Sequence, residues 1–578
     1  MLRLTALVAA LACQAATSYA HDDYLTLIEP KVLASPCAQQ WESETRRVNI
    51  SKPSEFHVDL TVGMGRFESQ YVSFNTRTYN GQFPAPTIKV CPGDKLTVRV
   101  TNELEAGASN VTNLHLHGMH VSPKGMQDNI LTNIQPGADR TYEYFIRPDH
   151  PSGSFWYHPH SHGLVNSQLG GLMAGSLIVV DRPDDVPKEI DEMDDIVLII
   201  QGVCVENCHE VEDNIVNLLT NKYDGDDMMM MDMSMDMSMD MDMGDSADES
   251  EDSEETKFPV SLSVSKSVPL TNTSLVHAYV NGQYLPEIKM QPGELKRFRY
   301  VNTIPNNVAE LVIPDCEMYV IARDGVYVSK PQKKSVVILP PGSRADVIVR
   351  CASEGTYHVE TQTDESRNEL LGKAHRHRVP TQQIIKLTVS GEASKMVLPT
   401  VLPAPPAYMK DATKLSEAVT TENTYNYEFS VWMEEGSGVT YGVNKKKFDH
   451  KFINHSMTVN QVQEWELSVK NYGHECQEMD GSAMAHMHMS KGGHCHPMTH
   501  PFHMHGSHFQ ITKADAELDP DELLFGVGEW RDTIPLFKSN VQIRFTPRDH
   551  MVGHILTHCH FASHSDNGMA QMVEVRSA

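Results

Sequence analysis

The sequence predicts an all-β protein built from three tandem β-sandwich domains, and three observations carry that expectation. Short runs rich in β-branched residues alternate with Gly, Pro and Asn turns, and long helical periodicity is scarce. An internal repeat is visible: residues 79–102 read YNGQFPAPTIKVCPGDKLTVRVTN, and residues 280–302 read VNGQYLPEIKMQPGELKRFRYVN. Both carry N-G-Q, a Pro, an Ile-Lys pair, P-G-acid and an alternating strand ending in Asn. Residues 462–471, VQEWELSVKN, form a weaker third copy. Finally, 578 residues suffice for roughly three or four domains of ~150 residues. Tandem adhesion modules of the immunoglobulin kind would show a similar pattern, so the repeat does not set the function.

The elements follow in chain order. Residues 1–20 read as a secretory signal: Arg3 precedes the apolar run Leu4 to Ala12, and Ser18-Tyr19-Ala20 offers small residues for cleavage. The first domain is expected over residues 40–181, followed by an acidic, Pro-containing linker. The second spans 190–390. Within it residues 224–257 are acidic and of low complexity, and are expected to be a disordered insertion. Pro399 to Pro406 is a Pro-rich connector. The third domain covers 407–578, with a His/Met-rich loop at 476–498.

The net charge is −28, from 48 Lys+Arg and 76 Asp+Glu. That balance argues against nucleic-acid partners, which need basic surfaces. Beyond the leader no run approaches the ~20 apolar residues of a membrane span, so a soluble, exported protein is expected, extracellular or, in a bacterium, periplasmic. Four sequons, at Asn49, Asn110, Asn272 and Asn454, would allow glycosylation in a eukaryotic source. Nine cysteines remain after cleavage, an odd number that leaves one without a partner. Cys316–Cys351 and Cys476–Cys495 are plausible local pairs. Oligomeric state has no signal in the sequence.

Histidine concentrates in four segments: His115-Leu116-His117, Trp156-Tyr157-His158-Pro159-His160, His500-Pro501-Phe502-His503-Met504-His505, and His558-Cys559-His560 followed by His564 and Met569. One H-x-H is most often a surface strand. Four of them, with Cys and Met nearby, point to metal. Residues i and i+2 of a strand share a face about 6.5–7 Å apart, whereas ligand nitrogens sit only ~2 Å from their metal. Each pair therefore suits two neighbouring metals, and eight imidazoles suffice for three. In His558-Cys559-His560 the thiol faces away from the imidazoles and can serve a separate metal. His500, Cys559 and His564 with a distant Met569 match the donor set of a blue copper site. Zinc is the weaker reading, since structural zinc closes with four ligands. His120, His162, His508, His550 and His554 lie off these positions and are expected to be supporting or surface residues.

Together the four motifs resemble those of the multicopper oxidases: laccases, ascorbate oxidase, ferroxidases and cuprous oxidases. The resemblance covers the chain from about residue 70, and its character is closest to the Met-rich copper-tolerance oxidases. It implies three cupredoxin-like Greek-key sandwiches and four copper ions, with a trinuclear cluster between the first and third domains. Carried over by motif, type 1 copper takes His500, Cys559, His564 and Met569, and type 2 copper takes His115 and His503. One type 3 copper takes His160, His505 and His558, and the other takes His117, His158 and His560. The implied reaction is four one-electron oxidations coupled to reduction of O2 to water, with electrons passing through Cys559, His558 and His560. Asp128 and Asp566 are candidates for proton supply. Each departs from the family's pattern: Asn129 follows Asp128 where Gly is common, and Asp566 is the only acid near the last motif.

The 31 methionines are unevenly placed. Residues 228–243 read MMMMDMSMDMSMDMDM, and thioethers select Cu(I). The candidates to collect it are Met228, Met233, Met235, Met237, Met239, Met241 and Met243, then Met484, His486, Met487, His488, Met489 and Met498 beside His500. A plain acidic spacer and a covering loop are the alternatives. The reducing substrate expected is Cu(I), with Fe(II) next. The competing readings are a laccase-like oxidase of phenols or aromatic amines, and a non-enzymatic copper store.

Overall fold

The computed structural model describes residues 25–42, 54–182, 185–204, 263–264, 276–372, 377–434, 438–472 and 498–578. The leader, the Met/Asp-rich segment 228–243 and residues 476–497 lie outside them, as do Cys476 and Cys495.

The described strands form six sheets that pair into three sandwiches. In the first, one sheet orders Val32–Ala34, Ala85–Val90, Gly175–Val179, Gly153–His158 and His115–His117. Its companion is built on Glu55–Glu68, Val72–Tyr79, Lys95–Asn102 and Asp139–Phe145. Val58, Leu60 and Val98 from one sheet meet Ile88, Phe155 and Leu177 from the other in a fully buried core. The second sandwich runs from Asp194–Val203 to Gln382–Val389, the third from Thr424–Glu434 to Ala570–Arg576. Two strands depart from the expected partition. Val32–Ala34 precedes residue 40 yet pairs with Ala85–Val90. Ser263–Val264, numbered within the second domain, pairs with Val72–Tyr79 of the first sandwich.

The sequence repeat has a physical cause. Lys95–Asn102, Lys296–Asn302 and Gln463–Tyr472 each pair in parallel with a strand that precedes them, at the same place in their sheets. Asn80-Gly81 and Asn281-Gly282 both take positive φ, the two-residue turn that suits Asn-Gly. In the third copy Asn444 and Lys445 take φ of 49° and 58°. That turn is invisible as a motif because its glycine has been replaced. The P-G-acid element is a turn lock: Asp94 accepts from Cys91 N, and Glu294 from Gln291 N. The terminal Asn donates to two buried carbonyls, of Asn110 and Ile134 for Asn102, and of Asn307 and Leu339 for Asn302. It thereby gives each of these buried carbonyls a donor.

Cys316–Cys351 forms as expected, Cys37–Cys91 forms as well, and Cys204 is also disulfide-bonded. Among the described residues Cys559 is the free cysteine, and it is buried. No helix among them is long and apolar enough to cross a membrane.

Candidate metal centre

The histidines reach one place because strand pairing carries them there. His115 lies opposite His158 in one sheet, and His503 opposite His558 in another. Alternation along each strand sends the intervening residues inward: Leu116 and Tyr157 into the first core, Met504 and Cys559 into the third. The apolar residues of each motif anchor the strand, and its imidazoles converge between the first and third sandwiches.

Three groups of three ligand atoms result, each within 4.8 Å of one another: His115, His117 and His503; His117, His158 and His560; His160, His505 and His558. Many of the rings are held by one nitrogen and leave the other bare. His158 Nδ1 donates to the Pro159 carbonyl, His558 Nδ1 to the Cys559 carbonyl and His503 Nδ1 to the Asp532 carbonyl. His115 Nδ1 lies 2.8 Å from Asp128 Oδ2. The opposite nitrogens of His115, His158 and His503 are buried without a partner, as are both of His560 and Nδ1 of His117. Across the third group, His558 Nε2 lies 3.2 Å from the Nε2 atoms of both His160 and His505. Burial, then repulsion between rings, holds His158, His160, His503, His505 and His558 far below the ordinary histidine range. Neutral imidazoles aiming bare lone pairs at shared points are costly unless a cation joins them. The donor set fits metal.

A fourth group stands apart, made of His500, Cys559 and His564. Sγ of Cys559 lies 3.7 Å from each Nδ1, and the two Nδ1 atoms lie 3.2 Å apart. Three ligands in trigonal array at ~2.0–2.3 Å from a metal would sit about 3.5–3.8 Å apart, so the triangle has the right size. Burial pushes the Cys559 thiol up and His500 down to about 3. Met569 is fully buried beside them, and its carbonyl accepts from Cys559 N. Tyr441 stacks on His564 at 4.3 Å. The helix Ala562–Asp566 carrying His564 is pinned by the second sandwich: Ala562 N donates to the Pro305 carbonyl and Ser563 N to Asn306 Oδ1.

The two acids behave differently. Asp128 is buried, orients His115 and accepts from Leu116 N at 3.0 Å. Asp566 accepts from the backbone of Gly163 and Asn166 at 2.8 Å each, which joins its helix to the first sandwich. Met498 is buried and bridges to Gly372; the other candidate Cu(I) residues lie outside the described residues. His162 and His554 are exposed, whereas His120 and His508 are buried together.

Sequence reasoning missed Asp532. This fully buried carboxylate is paired with Arg344 at 2.6 Å and lies 3.3 Å from His117 Nε2. Burial opposes its charge, but Arg344 holds its pKa below the ordinary carboxylate range. It has no spacing signature, and Arg344 is 188 residues away. Gly342, from the same loop of the second sandwich, takes φ +84°, and a Cβ there would sit 2.7 Å from His560 Nε2.

Three segments, residues 64–184, 245–377 and 419–578, match profiles described as multicopper oxidase. A multicopper oxidase of Staphylococcus aureus is 22% identical over 504 residues, 87% of this chain and 84% of that one. An iron transport multicopper oxidase of Kluyveromyces lactis is 33% identical over 132 residues, 22% of this chain and 18% of its own. Among solved structures, a metallo-oxidase of Campylobacter jejuni superposes with a TM-score of 0.60 at 20% identity, covering 97% of this chain and 99% of its own. Profiles over all three sandwiches, together with histidine clusters at the joint between the first and third, lead to one conclusion: the chain belongs to the multicopper oxidases, copper-dependent oxidoreductases that use O2.

Proposed function

We propose that this protein is an exported metallo-oxidase whose reducing substrate is Cu(I), with Fe(II) as the next candidate. His500, Cys559 and His564, with Met569 nearby, would hold one copper. His115 and His503 would hold a second. His160, His505 and His558 would hold a third, and His117, His158 and His560 a fourth. Bound copper supplies one-electron chemistry, four oxidations of the donor against one O2 reduced to two waters.

The observation that carries this reading is the segment His558-Cys559-His560. Its thiol joins the His500–His564 group, and its two imidazoles join two different groups of the cluster. The His558 Nδ1 bond to the Cys559 carbonyl shortens the route between them to one residue. Asp128 holds His115 in the tautomer that leaves Nε2 bare, and it offers a buried carboxylate beside the cluster for proton transfer.

The Met/Asp-rich run 228–243 and the His/Met-rich run ending at Met498 support Cu(I) as donor, because thioethers favour soft Cu(I). The test is an oxygen-electrode assay of copper-loaded protein with Cu(I), Fe(II) and a phenol side by side. Deleting residues 228–243 should slow Cu(I) turnover and leave phenol turnover in place. A deletion that leaves Cu(I) oxidation untouched refutes the collecting role, and a preference for phenol makes the enzyme laccase-like. No O2 uptake with any donor would make it a copper store.

A further inference from the structure

A second histidine cluster, outside the four groups, lies where all three sandwiches meet the connector before the third. His120 and His150 come from the first sandwich, Tyr408 from the connector, and His508 and His550 from the third; Asp324 comes from the second. His120 Nδ1 lies 2.5 Å from the Tyr408 hydroxyl, and His120 Nε2 lies 2.7 Å from His508 Nδ1. His508 Nε2 lies 2.6 Å from the Asp324 carbonyl and 3.4 Å from Asp532 Oδ2. Asp532 in turn reaches His117 Nε2 through its other oxygen.

The direction of every hydrogen follows from one atom. The Asp324 carbonyl only accepts, so His508 carries its proton on Nε2 and accepts at Nδ1. His120 must then donate from Nε2 and accept at Nδ1, and the Tyr408 hydroxyl donates. The hydrogens thus point inward along the chain, from Tyr408 to the edge of the metal cluster. Alongside the chain, Tyr408, His120, His508, His550, Lys410 and Arg548 border a small cavity of about 20 Å³, room for one water.

We propose that Tyr408, His120 and His508 form a proton wire that feeds O2 reduction from this cavity to the Asp532 side of the cluster. The inference rests on the oxidase reading above, since reducing O2 to two waters takes up four protons. A proton that enters the cavity from solvent as hydronium passes to the Tyr408 oxygen, leaving water behind, as Tyr408 passes its own proton to His120 Nδ1. His120 passes its Nε2 proton to His508 Nδ1, and His508 releases its Nε2 proton on the Asp532 side of the cluster, where the oxygen being reduced to water takes it up. Each member gains one proton and loses one, so no net charge stays on the wire. The Asp324 carbonyl then favours return of His508 to its starting tautomer.

The surroundings favour this mode. Arg147 and Arg548 lie over the Tyr408 ring at 5.7 and 5.5 Å. His150 and His550 flank His120. Burial, then these neighbours, keeps His120 neutral, and His508 is lowered as well. A neutral imidazole, with one N–H and one lone pair, can pass a proton on. His150 and His550 are off the path, since they donate to the Pro151 and Gly506 carbonyls.

The test uses copper-loaded protein and three variants: Tyr408→Phe, which removes one oxygen, His120→Gln, and the off-path His550→Gln. Protein reduced under argon is mixed with O2, and proton uptake is followed with an indicator dye. Tyr408→Phe and His120→Gln should slow uptake about tenfold, with copper content and the blue absorption band unchanged, while His550→Gln matches wild type. Independently of turnover, the nitrogen NMR signal of His120 Nδ1 in the reduced, diamagnetic protein should lose its hydrogen-bonded shift in Tyr408→Phe. Wild-type uptake rates in both wire variants overturn the proposal. So does equal slowing in His550→Gln, or copper loss in Tyr408→Phe, because either makes the cluster structural. Wild-type protein that takes up no O2 at all would instead sink the oxidase reading.

Discussion

Asp128→Asn isolates one carboxylate oxygen in the candidate centre. Asp128 accepts two hydrogen bonds, from His115 Nδ1 at 2.8 Å and from Leu116 N at 3.0 Å. An amide of the same shape has one acceptor for these two donors. If its oxygen keeps Leu116 N, its NH2 faces the His115 N–H. The ring relieves that conflict by moving its proton to Nε2, the buried, unpartnered atom that would bind metal. The opposite amide orientation leaves the Leu116 N–H facing a donor, which the backbone cannot relieve. A hydrogen bond to a charged group contributes about 1.5–3 kcal/mol, and about 1.4 kcal/mol is a factor of ten. Copper at His115 and His503 should therefore bind about 10–100-fold more weakly, the range found for partners of metal-bound histidines. The assay is copper content, with the electron paramagnetic resonance signal of the non-blue copper, after dialysis against graded chelator. The blue band from the distant Cys559 group serves as internal control. Retention of the non-blue signal at wild-type chelator concentrations would refute the argument that Asp128 sets the His115 tautomer.

Three further outcomes follow from the geometry. Cys559→Ser conserves volume but removes the soft ligand and buries a hydroxyl, at about 1–3 kcal/mol if it goes unpaired; the protein should fold, keep cluster copper and lose its blue absorption band. Gly342→Ala places a Cβ 2.7 Å from His560 Nε2 on a residue at φ +84°; the backbone alone costs about 1–2 kcal/mol, so a lower melting temperature and loss of copper at His117, His158 and His560 are expected together. His150 is buried and neutral, lowered to about 3 chiefly by desolvation. Below the ordinary value near 6.5 the unfolded chain binds a proton that the folded one refuses. Stability should therefore fall as pH drops from about 6.5 toward 3, by up to about 1.4 kcal/mol per pH unit for this one group. Denaturant titrations of His150→Gln should show a shallower slope by that amount, and an unchanged slope would contradict the assignment.

The four histidine motifs were legible because strand geometry is local. An H-x-H pair must put two imidazoles on one face, and an odd cysteine between two histidines must face the other way, as Cys559 does. The β-sandwich class was legible for the same reason, since alternation and Asn-Gly turns are short-range. The third repeat shows the limit: Asn444-Lys445 performs the same turn without the glycine that would reveal it. Asp128 was within reach, 13 residues from the His115 it orients. Asp532, Arg344 and Tyr408 were out of reach, since each acts on partners from another sandwich and none sits in a periodic pattern. Asp566 lies close to the last motif in sequence, and the contacts its carboxylate makes with the first sandwich's backbone at Gly163 and Asn166 carry no local signal.

The candidate ligands were written in the linear order, because a metal selects donor atoms and strand alternation decides which donors share a face. Charge and methionine content were written there too: 14 acidic residues and ten methionines cluster between residues 224 and 255. Which nitrogen of each imidazole stays bare depended on the folded chain. So did the carboxylate set behind the ligands and the path from solvent to the cluster. These are properties of contacts between groups far apart in the chain, such as His117 with Asp532 at a separation of 415. Hydrogen-bond direction is set by the partner a group meets, and distant partners meet only when the sandwiches close on one another.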